Sequence, residues 1–136
     1  MKVAVIGSGV MGSGIAQVMA KGNQVIIRDI APQALEKAQA SIKKNLEKSV
    51  SKGKMTQEEM DTTIGNISTS SDINDIKDCD LVIEAATENE KVKLAIFKEL
   101  DEICDAKTIL ASNTSSLSIT AIGAATKRPE KVIGMH

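Results

Sequence analysis

The stretch Lys2-Val3-Ala4-Val5-Ile6-Gly7-Ser8-Gly9-Val10-Met11-Gly12 decides how the rest of the chain reads. Four consecutive apolar residues, Val3 to Ile6, predict a strand covered on both faces, because a half-exposed strand would alternate. The strand runs straight into G-x-G-x-x-G, and a helix is predicted to open on that turn. Each glycine has a separate expected task. Gly7 permits the tight turn, Gly9 lets the backbone approach a pyrophosphate, and Gly12 lets helix and strand pack closely. The N-terminus of the helix offers free N–H groups and a positive dipole end to phosphates. Three glycines alone are equally compatible with a plain strand–helix turn.

Working outward, the same alternation recurs. Short runs rich in Val and Ile fall at 2–6, 24–28, 66–69, 80–85, 107–111 and 131–135. Helical stretches separate most of them, which predicts βαβ units with right-handed crossovers. The expected fold class is α/β: a doubly wound parallel sheet of the Rossmann type with about six strands. A long helical excursion follows the second strand. Pro32 suits a first helical position, and Gly53 suits the residue just past the end of a helix over 32–52. Thr56-Gln57-Glu58-Glu59 fits a capping box. Further helices are predicted over 12–21, 90–104 and 117–125, with Val92, Ile96, Leu100 and Ile103 as the packing stripe of the second.

The 136 residues suit one domain large enough to bury a real core. Phe97 is the only aromatic residue, so the core must be aliphatic and no platform for stacking bases exists. Seventeen basic and 18 acidic residues give a net charge of −1, which argues against nucleic-acid binding. One histidine and two cysteines leave too few ligands for a structural zinc site, and no metal is expected. No apolar run is long enough to cross a bilayer, and Lys2–Ile6 is too short for a secretory core, so no membrane association is expected. Cys79 and Cys104 form no C-x-x-C; as two free, buried thiols they suggest a reducing, cytoplasmic setting.

Asp29 lies 22 positions after Gly7, at the end of the second strand. A carboxylate there is placed to bind the adenosine ribose hydroxyls and to repel the extra phosphate of NADP, which favours NAD. The same residue could simply cap the helix near Pro32. Arg28 is expected to face away, since side chains alternate along a strand.

Ligands of open parallel sheets bind outside the carboxyl ends of the strands. Ala86-Thr87-Glu88 follows the fourth strand, Ser112-Asn113-Thr114-Ser115-Ser116 the fifth, and His136 the sixth. A carboxylate, a hydroxyl cluster and the only histidine thus gather at one crevice, though the serine-rich run also suits a polar loop or helix cap. Lys44, Lys48 and Lys52 form a helical stripe, which reads either as a solvated face or as a dock for a ligand with several phosphates.

These residues resemble a known family. Gly7-Ser8-Gly9-Val10-Met11-Gly12-Ser13-Gly14-Ile15-Ala16-Gln17 is similar to the opening of 3-hydroxyacyl-CoA dehydrogenases, particularly the bacterial 3-hydroxybutyryl-CoA type. So are Asp80-Leu81-Val82-Ile83-Glu84-Ala85-Ala86, Ala111-Ser112-Asn113-Thr114-Ser115-Ser116-Leu117, and Arg128-Pro129 with Val132-Ile133-Gly134-Met135-His136. The resemblance implies NAD as cofactor, held by Gly7, Gly9, Val10, Met11, Gly12, Asp29 and Ala86. Glu88 and Lys93 match residues around the nicotinamide ribose, and Asn113 matches a position lining the nicotinamide. Ser115 matches the serine that binds the substrate's 3-oxygen, and His136 the catalytic histidine. Lys48 and Lys52 lie where the family places cations near the coenzyme A phosphates. The implied reaction is hydride transfer between NAD(H) and the 3-hydroxy or 3-oxo group of a short-chain acyl-CoA, in fatty acid or butyrate metabolism.

The family continues past this histidine with an orienting glutamate, a substrate-side asparagine and a helical domain that closes the cleft and forms a homodimer. None of these lies within residues 1–136, so the chain reads as the cofactor domain cut at its C-terminal side. Weak NAD binding and little turnover are expected from it alone. The alternatives are a non-catalytic NAD-binding module and a dehydrogenase of small hydroxy acids.

Overall fold

The computed structural model describes residues 1–86, 89–112 and 119–134. Its strands are β1 (Lys2–Ile6), β2 (Gln24–Arg28), β3 (Ile67–Ser70), β4 (Leu81–Glu84), β5 (Ile109–Ser112) and β6 (Val132–Gly134). They form one sheet in the order β3-β2-β1-β4-β5-β6, with every pairing parallel. The order reverses between β1 and β4, which places the ligand crevice at their carboxyl ends.

The helices are α1 (Val10–Met19), α2 (Pro32–Ser51), α3 (Gln57–Gly65), α4 (Glu90–Ile103) and α5 (Ile119–Ala124). Strand parity divides the core in two. Val3, Val5, Val25 and Ile27 face α1, α2 and α3, where they meet Ala16, Ile42, Leu46 and Met60. Ala4, Ile6, Val82 and Leu110 face the other way, toward Phe97 and Leu100 of α4 and Ile122 of α5. Both faces are covered, which is why β1 carries no polar alternation.

Local signals place the helix ends. Thr56 accepts from the Glu59 N–H at 3.1 Å, and the Glu59 carboxylate accepts from the Thr56 N–H at 3.1 Å. Gly53 stands at φ +72° after α2, a conformation that costs a side-chain-bearing residue energy. Helix α1 opens at Val10, two residues earlier than the predicted 12–21, because the turn is complete at Gly9. Strand β5 starts two residues later than predicted, since Lys107 belongs to a turn. Strand β6 is shorter than predicted, because Pro129–Lys131 form a 3-10 turn.

The expected stripe on α4 holds at Ile96, Leu100 and Ile103 and requires correction at Val92. Val92 is 46% exposed, whereas Lys93, Phe97 and Leu100 are the buried residues, with Ile96 and Ile103 packed partly against them. A lysine occupies a core register because Glu84 neutralises it there.

Candidate cofactor site

The glycine turn fulfils its three tasks by three different contacts. Gly7 sits at φ +106°, and a Cβ there would come within 2.7 Å of the Ala86 Cα. The chain therefore turns tightly and brings the ends of β1 and β4 together. A Cβ on Gly12 would collide with the carbonyl oxygen of Gly7, so α1 packs directly on the turn. Among the described residues, no atom lies within 4 Å of the Gly9 Cβ position. Its smallness serves no packing contact among the described residues, which leaves the space beside it for a ligand.

The N-terminus of α1 lacks a side-chain cap and an acidic residue in its first turn. Its first N–H groups thus keep the donor capacity and positive dipole that suit a pyrophosphate. The side chains of Val10 and Met11 are exposed, at 92% and 56%, around that donor set.

Asp29 holds the turn from the other side. Its Oδ2 accepts from the Ser8 hydroxyl at 2.6 Å and the Ser8 N–H at 3.1 Å, and its Oδ1 accepts from the Ala31 N–H at 3.0 Å. Partial burial pushes its carboxyl upward, but these three hydrogen bonds and the Arg28 charge outweigh it and hold the group below 3.8. Asp29 is therefore ionised at neutral pH, and it both leads the chain into α2 and faces the crevice. Arg28 does not face away as expected. It lines the same cleft of about 420 Å³ as Gly7, Ser8, Asp29, Ile30 and Val92; β2 ends at Arg28 and the chain bends at Ile30. Its Nε is buried with no hydrogen-bond partner among the described residues.

At the end of β4, the sequence reading missed Glu84. Its side chain is fully buried. Its Oε1 accepts from the Lys93 Nζ at 2.5 Å and the Ser112 Oγ at 3.3 Å, and its Oε2 accepts from the Ala86 N–H at 2.7 Å. An acid closing the apolar run Leu81-Val82-Ile83, nine residues before a lysine at a core register of α4, was the available signal.

The structure thus brings Gly7, Gly9, Asp29 and Ala86 to one cleft, with Val10, Met11 and Gly12 in the first turn of α1 that follows it. Lys93 stands behind it, 1% exposed, with its ammonium on Glu84. Lys48 and Lys52 are exposed and are not brought to the crevice. Lys48 lies sixteen residues along α2 from Pro32, about 24 Å of helix, so it can serve only the distal end of an elongated ligand. Glu88, Asn113, Ser115 and His136 lie outside the described residues. Among the described residues, no group of three His, Cys, Asp or Glu could hold a metal ion, and no helix is long and apolar enough to cross a membrane.

A parallel sheet with a glycine turn, an uncapped helix and an ionised acid at its switch point defines a dinucleotide-binding domain. Residues 2–136 match the family model for the NAD-binding domain of 3-hydroxyacyl-CoA dehydrogenase, and the chain belongs to that family, whose cofactor is NAD. It is 50% identical to a 3-hydroxybutyryl-CoA dehydrogenase of Clostridioides difficile, over 100% of this chain and 49% of that protein. It is 48% identical to a 3-hydroxyadipyl-CoA dehydrogenase of Escherichia coli, over 98% of this chain and 28% of that protein. The crystal structure of a 3-hydroxybutyryl-CoA dehydrogenase from Escherichia coli superposes with a TM-score of 0.98 at 47% identity, covering 100% of this chain and 29% of that one. The chain spans about half the length, or less, of these relatives. Two relatives of nearly equal identity carry different acyl names, so similarity over this region does not assign an acyl chain.

Proposed function

We propose that residues 1–136 supply the NAD-binding domain of an NAD-dependent 3-hydroxyacyl-CoA dehydrogenase acting on a short-chain acyl-CoA. The observation that carries this reading is the open space at Gly9, between the uncapped start of α1 and the ionised Asp29. NAD, when bound, supplies the hydride acceptor.

The residues of the chain bind and orient. The first N–H groups of α1 hold the pyrophosphate, and Asp29 accepts from the adenosine ribose hydroxyls in place of its Ser8 contacts. Glu88, Lys93 and Asn113 serve the nicotinamide side. Ser115 holds the substrate's 3-oxygen, and His136 takes the 3-hydroxyl proton in oxidation and returns it in reduction. Positioning accounts for most of the rate. Lys48 and Lys52 meet the coenzyme A phosphates at the far end of α2. A cytoplasmic location and a homodimer of the full-length protein complete the proposal.

Reduction of acetoacetyl-CoA with NADH tests the reaction. Little turnover is expected from residues 1–136, together with measurable NADH binding. Turnover at the level of a full-length relative contradicts the first expectation, and absence of NADH binding contradicts the reading itself.

A further inference from the structure

We propose that Glu84 is the positioning residue of the nicotinamide side of the site, acting through Ala86, Lys93 and Ser112. The proposal rests on the NAD-binding reading and extends it to a residue that contacts no ligand. One fully buried carboxylate joins three segments at the crevice. It takes the Ala86 N–H at 2.7 Å, which fixes Ala86 just past the end of β4. It takes the Lys93 Nζ at 2.5 Å, which fixes the first turns of α4. It takes the Ser112 Oγ at 3.3 Å, on the last residue of β5 and directly before Asn113.

Register explains why one group reaches all three. Glu84 pairs with Ile6 on one side and Ser112 on the other, at the strand ends flanking the switch point. A buried ion pair is a poor device for stability, because desolvating two charges offsets most of their attraction. Its acid stands at the carboxyl end of β4, two residues before Ala86, which lines the cleft, and beside the last residue of β5; this points to orientation of the strand ends on the nicotinamide half. The adenosine half rests on Asp29 and the start of α1, to which no hydrogen bond of Glu84 runs among the described residues.

That division supplies the test. NADH and ADP are titrated calorimetrically into the wild-type chain, Glu84→Gln and Ser112→Ala. Both ligands use the glycine turn and Asp29, but only NADH reaches the β4 and β5 connections. The expected result is an NADH Kd raised about tenfold in Glu84→Gln and about threefold in Ser112→Ala, with the ADP Kd within about twofold of wild type. A purely structural role would weaken both ligands together in a folded variant, and that result overturns the proposal, as does NADH binding unchanged in both variants. Circular dichroism reports folding. If Glu84→Gln does not fold, the same NADH-against-ADP split in Ser112→Ala decides alone. A wild-type chain that binds neither ligand overturns the underlying reading and this proposal with it; variants unchanged beside a wild type that binds both overturn this proposal only.

Discussion

The Lys93 ammonium meets the Glu84 carboxylate at 2.5 Å with 1% and 0% of their side chains exposed. Both side chains are buried, so each charge relies on the other. Lys93→Met should destabilise the fold by about 3–5 kcal/mol, because it leaves an acid buried without its counter-charge. Glu84→Gln combined with Lys93→Met should recover most of that loss. Urea unfolding of the two single variants and the double variant measures the coupling, and additive losses would disprove it.

Asp29 gives the stability a predicted dependence on acid. Its folded carboxyl titrates below 3.8, so its contribution is complete above that ordinary value and disappears as pH falls through the lower folded one. The difference in urea midpoint between wild type and Asp29→Asn should therefore be full at about pH 6 and reduced at about pH 3. A difference that grows in acid would mean the shift has the opposite sign.

Arg128 ties the segment before β6 to the end of α4. Its Nε donates to the Asp101 carboxylate at 2.7 Å, and its two terminal nitrogens donate to the carbonyls of Asp101, Cys104, Asp105 and Thr108. A lysine keeps the charge but lacks the planar fork, so Arg128→Lys should cost about 2 kcal/mol or more. Chemical denaturation checks this, and an unchanged midpoint would show the fork to be dispensable.

Burial pushes the thiols of Cys79 and Cys104 up to about 11. At neutral pH both should resist a thiol reagent in the native protein and react fully in denaturant. Fast native labelling of either would contradict the packing described around α4.

Much of this was legible in the sequence for physical reasons. The apolar run from Val3 to Ile6 and the glycines after it have few other solutions, and β1, β2 and the capping box at Thr56 fall where local chemistry puts them. What escaped depends on contacts between distant residues. The burial of Lys93 is not legible until Glu84 stands across from it, and apolar spacing alone assigns the stripe of α4 to Val92. Arg28 alternates along β2, yet it and Asp29 line one cleft, since the strand ends at Arg28 and the chain bends at Ile30. Lys48 and Lys52 were readable as a stripe, but their distance from the crevice follows only from the length of α2.

Gly9 and Gly12 separate binding from folding, and together they test the central claim. An alanine at Gly12 meets the Gly7 carbonyl and should lower the melting temperature, whereas one at Gly9 meets no atom of the described residues within 4 Å. Gly9 also has φ −68°, a backbone that alanine adopts freely. The decisive measurement is a calorimetric titration of NADH into the wild-type chain and into Gly9→Ala. The account predicts that wild type binds NADH, and that Gly9→Ala unfolds at the same temperature but binds at least about tenfold more weakly. A wild type that does not bind, or a Gly9→Ala variant that binds equally well, would contradict it.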